Sequence, residues 1–206
     1  MLSSAKSRLV IAFLILTLQS CLFENPFCTN NDLIDLPILP GQWHEPVRGV
    51  LGSAVKLSAD SNGVLKNLAT DSVTFRQQKD KTYRYYDSDN NGVDSGIVRV
   101  FKLGSQIYFD IEAFPPDEET SIDSSRFHMI YKYFQLNDSI IKIQALNYDV
   151  FEKKIKSGEI KIAHTVTPSG FIIVTATTRT LQVFLRSITD SAEYWTESET
   201  LIKRMN

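Results

Sequence analysis

Beyond Gly41 the chain is a succession of short apolar runs rich in Val, Ile, Phe and Tyr, each closed by residues that favour turns. Runs at 73–77 and 82–86 flank Gln78-Lys79-Asp80-Lys81, and runs at 97–103 and 106–113 flank Gly104-Ser105. Two more, 126–136 and 139–146, meet across Asn137-Asp138, and 160–167 and 171–176 meet through Pro168-Ser169-Gly170. β-Branched and aromatic side chains suit a pleated, half-buried surface, and such short connections join antiparallel neighbours. The pattern predicts a meander of hairpins with a last strand at 200–204. Closing a meander on itself removes the edge strands that invite aggregation. The expected fold is therefore mostly β, an antiparallel up-and-down β-barrel.

Two segments leave the period of two. Residues 147–157 place Tyr148, Phe151 and Ile155 on one helical face and stop at Gly158, which suits a helix C-terminus. Residues 178–187 offer a Thr cap followed by Leu181, Phe184, Leu185 and Ile188 at helical spacing. Both read as short helices packed on the barrel or across its end. In 126–136 each parity mixes polar and apolar residues, His128-Ile130-Lys132-Phe134-Leu136 on one and Phe127-Met129-Tyr131-Tyr133-Gln135 on the other. A strand of that kind is covered on both sides. Residues 46–72 fit a strand plus a loop excursion.

The N-terminus has a different character. In residues 1–20, Lys6 and Arg8 precede an uncharged apolar run from 9 to 18, the order of a secretory signal, and the run is too short for the ~20 apolar residues that a membrane-spanning helix needs. It ends in Leu18-Gln19-Ser20-Cys21, which resembles the lipobox of bacterial lipoproteins. That resemblance implies that Cys21 is acylated and becomes the first residue of a mature protein anchored to the membrane through lipid. Because Leu22, not Asp, follows the cysteine, it also implies the outer membrane of the cell envelope, facing the periplasm, in a Gram-negative cell, and the outer face of the plasma membrane in a Gram-positive one. A thioether at Cys21 would leave Cys28 without a partner in the chain. Residues 21–40, with Pro26, Pro37, Pro40 and the Asn30-Asn31-Asp32 cluster, read as a flexible tether spanning ~25 Å. The organisation expected is a signal peptide at 1–20, a tether at 21–40 and a β-barrel domain at 41–206.

Composition narrows the partners. With 43% hydrophobic and 22% charged residues in 206, the chain folds around a core. The formal charge of −2, from 22 Lys+Arg and 24 Asp+Glu, becomes −4 once Lys6 and Arg8 are removed. Nothing in that balance suggests nucleic acid as a partner. Gly41-Gln42-Trp43, ahead of a run of hairpins and a late helix, resembles the opening of the lipocalin and wider calycin group. The resemblance implies that Trp43 plugs the closed end of the barrel and stacks on a basic side chain of the last strand, Arg204 or else Lys203. A wider likeness, carried by FKLGSQIYFDIEA, ALNYDVF and TATTRTLQVFLRSITDSAEYW, is to bacterial secreted proteins with a barrel-like domain.

Motifs for chemistry do not complete themselves. Asp87-Ser88-Asp89-Asn90-Asn91-Gly92 matches the first half of an EF-hand loop, but the twelfth position is Val98 where a bidentate Glu is required. Ser53-Ala54-Val55-Lys56 has the Ser-x-x-Lys spacing of penicillin-recognising enzymes without their other elements. His44, His128 and His164 show no metal-binding spacing, and Asp110 and Glu112 share one face of a strand, where adjacent acids usually face solvent. No enzyme activity, cofactor or metal is expected. The 12 Phe, 8 Tyr and 2 Trp either fill a small barrel or leave one apolar pocket. The function expected is a lipid-anchored envelope binding or assembly lipoprotein holding an apolar small molecule or a protein partner. The alternative is a structural or partner-docking lipoprotein with a filled barrel.

Overall fold

Eight antiparallel strands close on themselves in the computed structural model, which describes residues 21–44, 58–59, 65–66, 72–89, 92–113, 127–168 and 170–204. In chain order the strands are β1 (Cys21–Phe23), β2 (Gly41–His44), a short pair β3 (Ser58–Ala59) and β4 (Leu65–Lys66), β5 (Ser72–Gln77), β6 (Tyr83–Asp89), β7 (Gly92–Leu103), β8 (Gln106–Ala113), β9 (Phe127–Asn137) and β10 (Ile140–Ala145). Helix α1 (Tyr148–Lys156) follows, then β11 (His164–Val166), β12 (Ile172–Val174), α2 (Thr178–Ile188) and β13 (Glu199–Lys203). The barrel runs β2-β5-β6-β7-β8-β9-β10-β13, and pairing of β13 with β2 completes the ring. The hairpins expected at 73–86, 97–113 and 126–146 all belong to it. Asp87, Ser88 and Asp89 end β6 and Gly92 opens β7, while Asn90, Asn91, Ser53 and Lys56 lie outside the described residues.

Cross-strand partners put their side chains on the same face, so the register identifies the interior. One inner row runs Phe75, Tyr85, Gly96; the next runs Tyr83, Val98, Ile111, Met129; a third runs Val100, Phe109, Tyr131. Every non-glycine side chain in these rows is at most 8% exposed. Burial pushes the Tyr131 phenol well above its usual value and that of Tyr133 up to about 12, so both stay neutral inside the wall. Gly96 is there because of space: a Cβ would lie 2.4 Å from the Glu112 backbone oxygen and 2.5 Å from the Tyr85 ring. Gly96→Ala is expected to lower stability by about 1–3 kcal/mol in urea denaturation, since the backbone atom cannot step aside.

The helices form where the apolar spacing put them. Asn147 caps α1 by accepting from the Val150 N–H, and Tyr148, Phe151 and Ile155 are its buried face. Thr177 caps α2 through the Thr180 N–H, and Leu181, Leu185 and Ile188 are buried.

Two regions depart from expectation. The hairpin at 160–176 is not a barrel wall: β12 pairs in parallel with β1, β11 pairs with β12, and this small sheet hangs on β9 through Phe23 opposite His128. Residues 22–40, read as a tether, are packed on the barrel as a strap. Phe23, Phe27 and Leu39 are fully buried, and Cys28, Leu33 and Leu36 nearly so. Phe23 rests against Phe27, Tyr148 and Phe151. The prolines prevent a regular period, but the apolar residues between them supply core surface, and burying them outweighs the freedom of a loose chain.

Candidate functional site

Three polar clusters emerge where the strap, α2 and the barrel meet. On β8 and β9, Asp110, Glu112, His128 and Lys132 point outward, yet they are 0%, 2%, 5% and 7% exposed because the strap and α2 cover that face. The Asp110 carboxylate accepts from the Phe27 backbone N–H at 3.0 Å, from His128 Nδ1–H at 2.8 Å and from the Cys28 thiol at 3.9 Å. Glu112 receives Arg99 Nη2 at 2.6 Å. Asp110 and Glu112, expected at solvent, are thus interior groups, because the segment that covers them comes from more than 80 residues away.

Cys28 is correspondingly inert. Burial pushes its thiol far up, and the neighbouring Asp110 charge adds to the effect. The thiolate is the nucleophile, so this thiol is held in its unreactive form. The cluster is a pin for the strap. A second tie is the turn of the strap itself, where Asp32 accepts from the Thr29 N–H and from Gln182 Nε2 of α2; the Thr29 N–H, above all, holds the Asp32 carboxyl below its usual pKa.

Lys132 holds the other end of α2. Its ammonium donates to the Thr189 carbonyl and lies 4.4 Å over the Trp195 ring, and burial lowers its pKa. Tyr108 Oη shares a hydrogen bond with Thr189 Oγ1 at 2.8 Å, and Trp195 Nε1–H donates to the Ile188 carbonyl at 3.1 Å. A cation among the last carbonyls of a helix complements its dipole.

The third cluster joins β2, β13 and the strap around Trp43. Trp43 is fully buried and its Nε1–H donates to the Leu39 carbonyl at 2.8 Å. The basic group on its ring is Lys203, with Nζ 5.5 Å from the centroid and donating to the Ile38 carbonyl at 2.7 Å. Arg204 is not the partner. Lys203 stands opposite Trp43 in the β13–β2 register and shares its inward face, whereas Arg204 is exposed on the other face and reaches Gln42 Oε1 at 3.3 Å. Gly41 fits the same packing, with φ of +128° and Lys203 Cε 3.0 Å from where a Cβ would stand. The strap adds one more tie: the Leu36 N–H donates to Tyr83 Oη at 2.7 Å.

The other sequence candidates are not gathered. His164 is exposed on β11, with Nδ1 2.8 Å from the Ile162 carbonyl, and His44 lies on the outward face of β2 opposite Ile202. Among the described residues no group of three or more His, Cys, Asp or Glu could hold a metal ion. Cys21 opens β1 in register with Ile172. Sequence reasoning passed over Arg99, Lys132 and the Cys28–Asp110 contact. The one available signal was the mixed parity of β9, where His128 and Lys132 alternate with Ile130. No protein-family model, curated protein or solved structure matches the chain.

Proposed function

We propose that the protein is a lipid-anchored lipoprotein of the cell envelope, held at Cys21, whose filled barrel docks an envelope protein partner through its outer wall. The observation carrying this reading is the contrast between the two faces of the barrel. A pocket for a drug-sized apolar ligand has a volume of about 300 Å³ or more and leaves accessible surface on the side chains that line it. Here the inner rows have almost none. On the outside of β9, β10 and β13, Phe134 and Leu136 are 36% and 55% exposed, Lys142 stands opposite Phe134, and Ile140 and Ile202, both partly exposed, stand opposite each other. Large apolar side chains left exposed on neighbouring strands favour a protein partner. Carriage of an apolar small molecule in the barrel is the less favoured reading.

The anchor is read from the lipobox likeness, with the outer membrane facing the periplasm as the location. Among the described residues no helix is long and apolar enough to cross a membrane. Cys21→Ser is expected to move the protein from the membrane fraction to a soluble or precursor form, checked by fractionation and blotting; unchanged sedimentation with membranes counts against the anchor. Native mass spectrometry of the mature protein from its own envelope tests the docking reading. A retained protein partner that Leu136→Asp removes supports it, and mature protein released from the envelope with no protein partner, or with one that Leu136→Asp leaves in place, overturns it.

A further inference from the structure

We infer that the protein is mounted directly on the bilayer, without a leash, with the end of the small sheet formed by the start of β1 and the β11–β12 turn lying on the lipid surface. The inference rests on the anchor at Cys21. It follows from how little chain separates that residue from the folded body. Phe23, two residues on, is fully buried. Two residues reach at most ~7 Å even when extended. The body must therefore sit at the head groups, and the register says which part of it does.

Cys21, Ile172 and Val166 stand in one row across β1, β12 and β11. With strands about 4.8 Å apart, the Val166 backbone is ~10 Å from that of Cys21. Thr167 and Pro168, which follow Val166, and Gly170 and Phe171, which precede Ile172, are at the same end of the sheet.

The chemistry of that end is independent of the cysteine and agrees with it. In a chain with 22% charged residues, none falls between Thr165 and Thr178, nor at Leu22 or Phe23. Val166 is 60% exposed, Pro168 is exposed, and Leu22, Phe171 and Ile173 are partly so. A surface that meets the interface between lipid and water is favoured by apolar and hydroxyl side chains and opposed by charges that would lose their water. A lipid surface is thus the occupant that both the chain length and the side chains fit.

The test uses the full-length protein, matured and purified from membranes, in phosphatidylethanolamine/phosphatidylglycerol vesicles. An environment-sensitive fluorophore is attached to Pro168→Cys or, in a second preparation, to Asp138→Cys. Asp138 lies in the β9–β10 turn, ten residues along β9 from the His128 that pairs with Phe23. At ~3.3 Å per residue that is ~30 Å away. Cys28 is buried and unreactive, so it takes no label.

Head-group spin-labelled lipid is expected to quench the Pro168 probe several-fold more than the Asp138 probe. A ten-residue Gly-Ser insertion between Cys21 and Leu22, which adds a leash of ~17 Å, is expected to abolish most of that difference. Vesicle flotation is read on the same samples. Protein that floats but shows equal quenching at both sites overturns the mounting and leaves the anchor standing. Protein that does not float overturns both.

Discussion

Asp110→Ala is expected to lower the stability of the protein by about 2–5 kcal/mol, the cost of leaving two buried donors without the acceptor they share. The carboxylate accepts from three groups, and two of them, the Phe27 N–H and His128 Nδ1–H, are buried donors that no water replaces once the strap is down. Leaving a buried donor unmade costs more than the bond contributes when made. The loss falls on the seam between strap and barrel, so a second readout separates a local from a global effect. In the intact protein Cys28 is covered and its thiol pKa is pushed up, first by burial and then by Asp110. Its alkylation under native conditions should therefore be slow. In Asp110→Ala it should become fast at denaturant concentrations where the barrel's tyrosine signal is still native. Stability within about 1 kcal/mol of the parent, together with an unreactive Cys28, would show that the strap is held by its apolar contacts alone.

Trp43→Ala should cost a similar ~3–5 kcal/mol, as truncation of a fully buried aromatic. Three contributions are lost together: the area of the ring, the bond from Nε1–H to the Leu39 carbonyl, and the surface beneath the Lys203 ammonium. Trp43→Phe separates them, since it retains most of the area and loses the hydrogen bond, worth about 1 kcal/mol. Two neighbouring basic residues then provide an internal control. Arg204 is exposed on the outer face, so Arg204→Ala should fall within about 0.5 kcal/mol of the parent. Lys203→Ala removes the cation over the indole and the tie to the Ile38 carbonyl, and should be clearly more destabilising in the same urea titrations. Equal losses for the two would contradict the register that places Lys203 inside.

The two sites differ in how far they could be foreseen. Trp43 as an end plug, with a basic residue of the last strand over it, is what a three-residue likeness implies, and in the structure Trp43 is buried beneath Lys203. The choice between residues 203 and 204 was beyond it. A slip of one position reverses the face that a strand residue presents, and only the hydrogen-bonded alignment of β13 on β2 selects the position. Asp110 was visible as an acid on a strand, but its environment was not. Adjacent acids on one face of a strand look solvated until a distant segment is laid across them.

From residue order alone one could obtain the antiparallel barrel strands, their turns, the faces of α1 and α2 and the double covering of β9 as far as Tyr133, though not the exposure of Phe134 and Leu136 beyond it. Each of these is written in a local period, of two along a strand or near 3.6 along a helix, and in the turn residues that end it. What needed the folded chain was the path of 22–40, the departure of β11 and β12 from the barrel wall, and the burial of Asp110, Glu112 and His128. Those depend on contacts between residues far apart in order, where hydrophobic area and hydrogen-bond satisfaction carry no periodic signature. A proline-broken run such as 22–40 reads the same whether it is loose in water or pressed against a sheet. The surface it meets makes the difference.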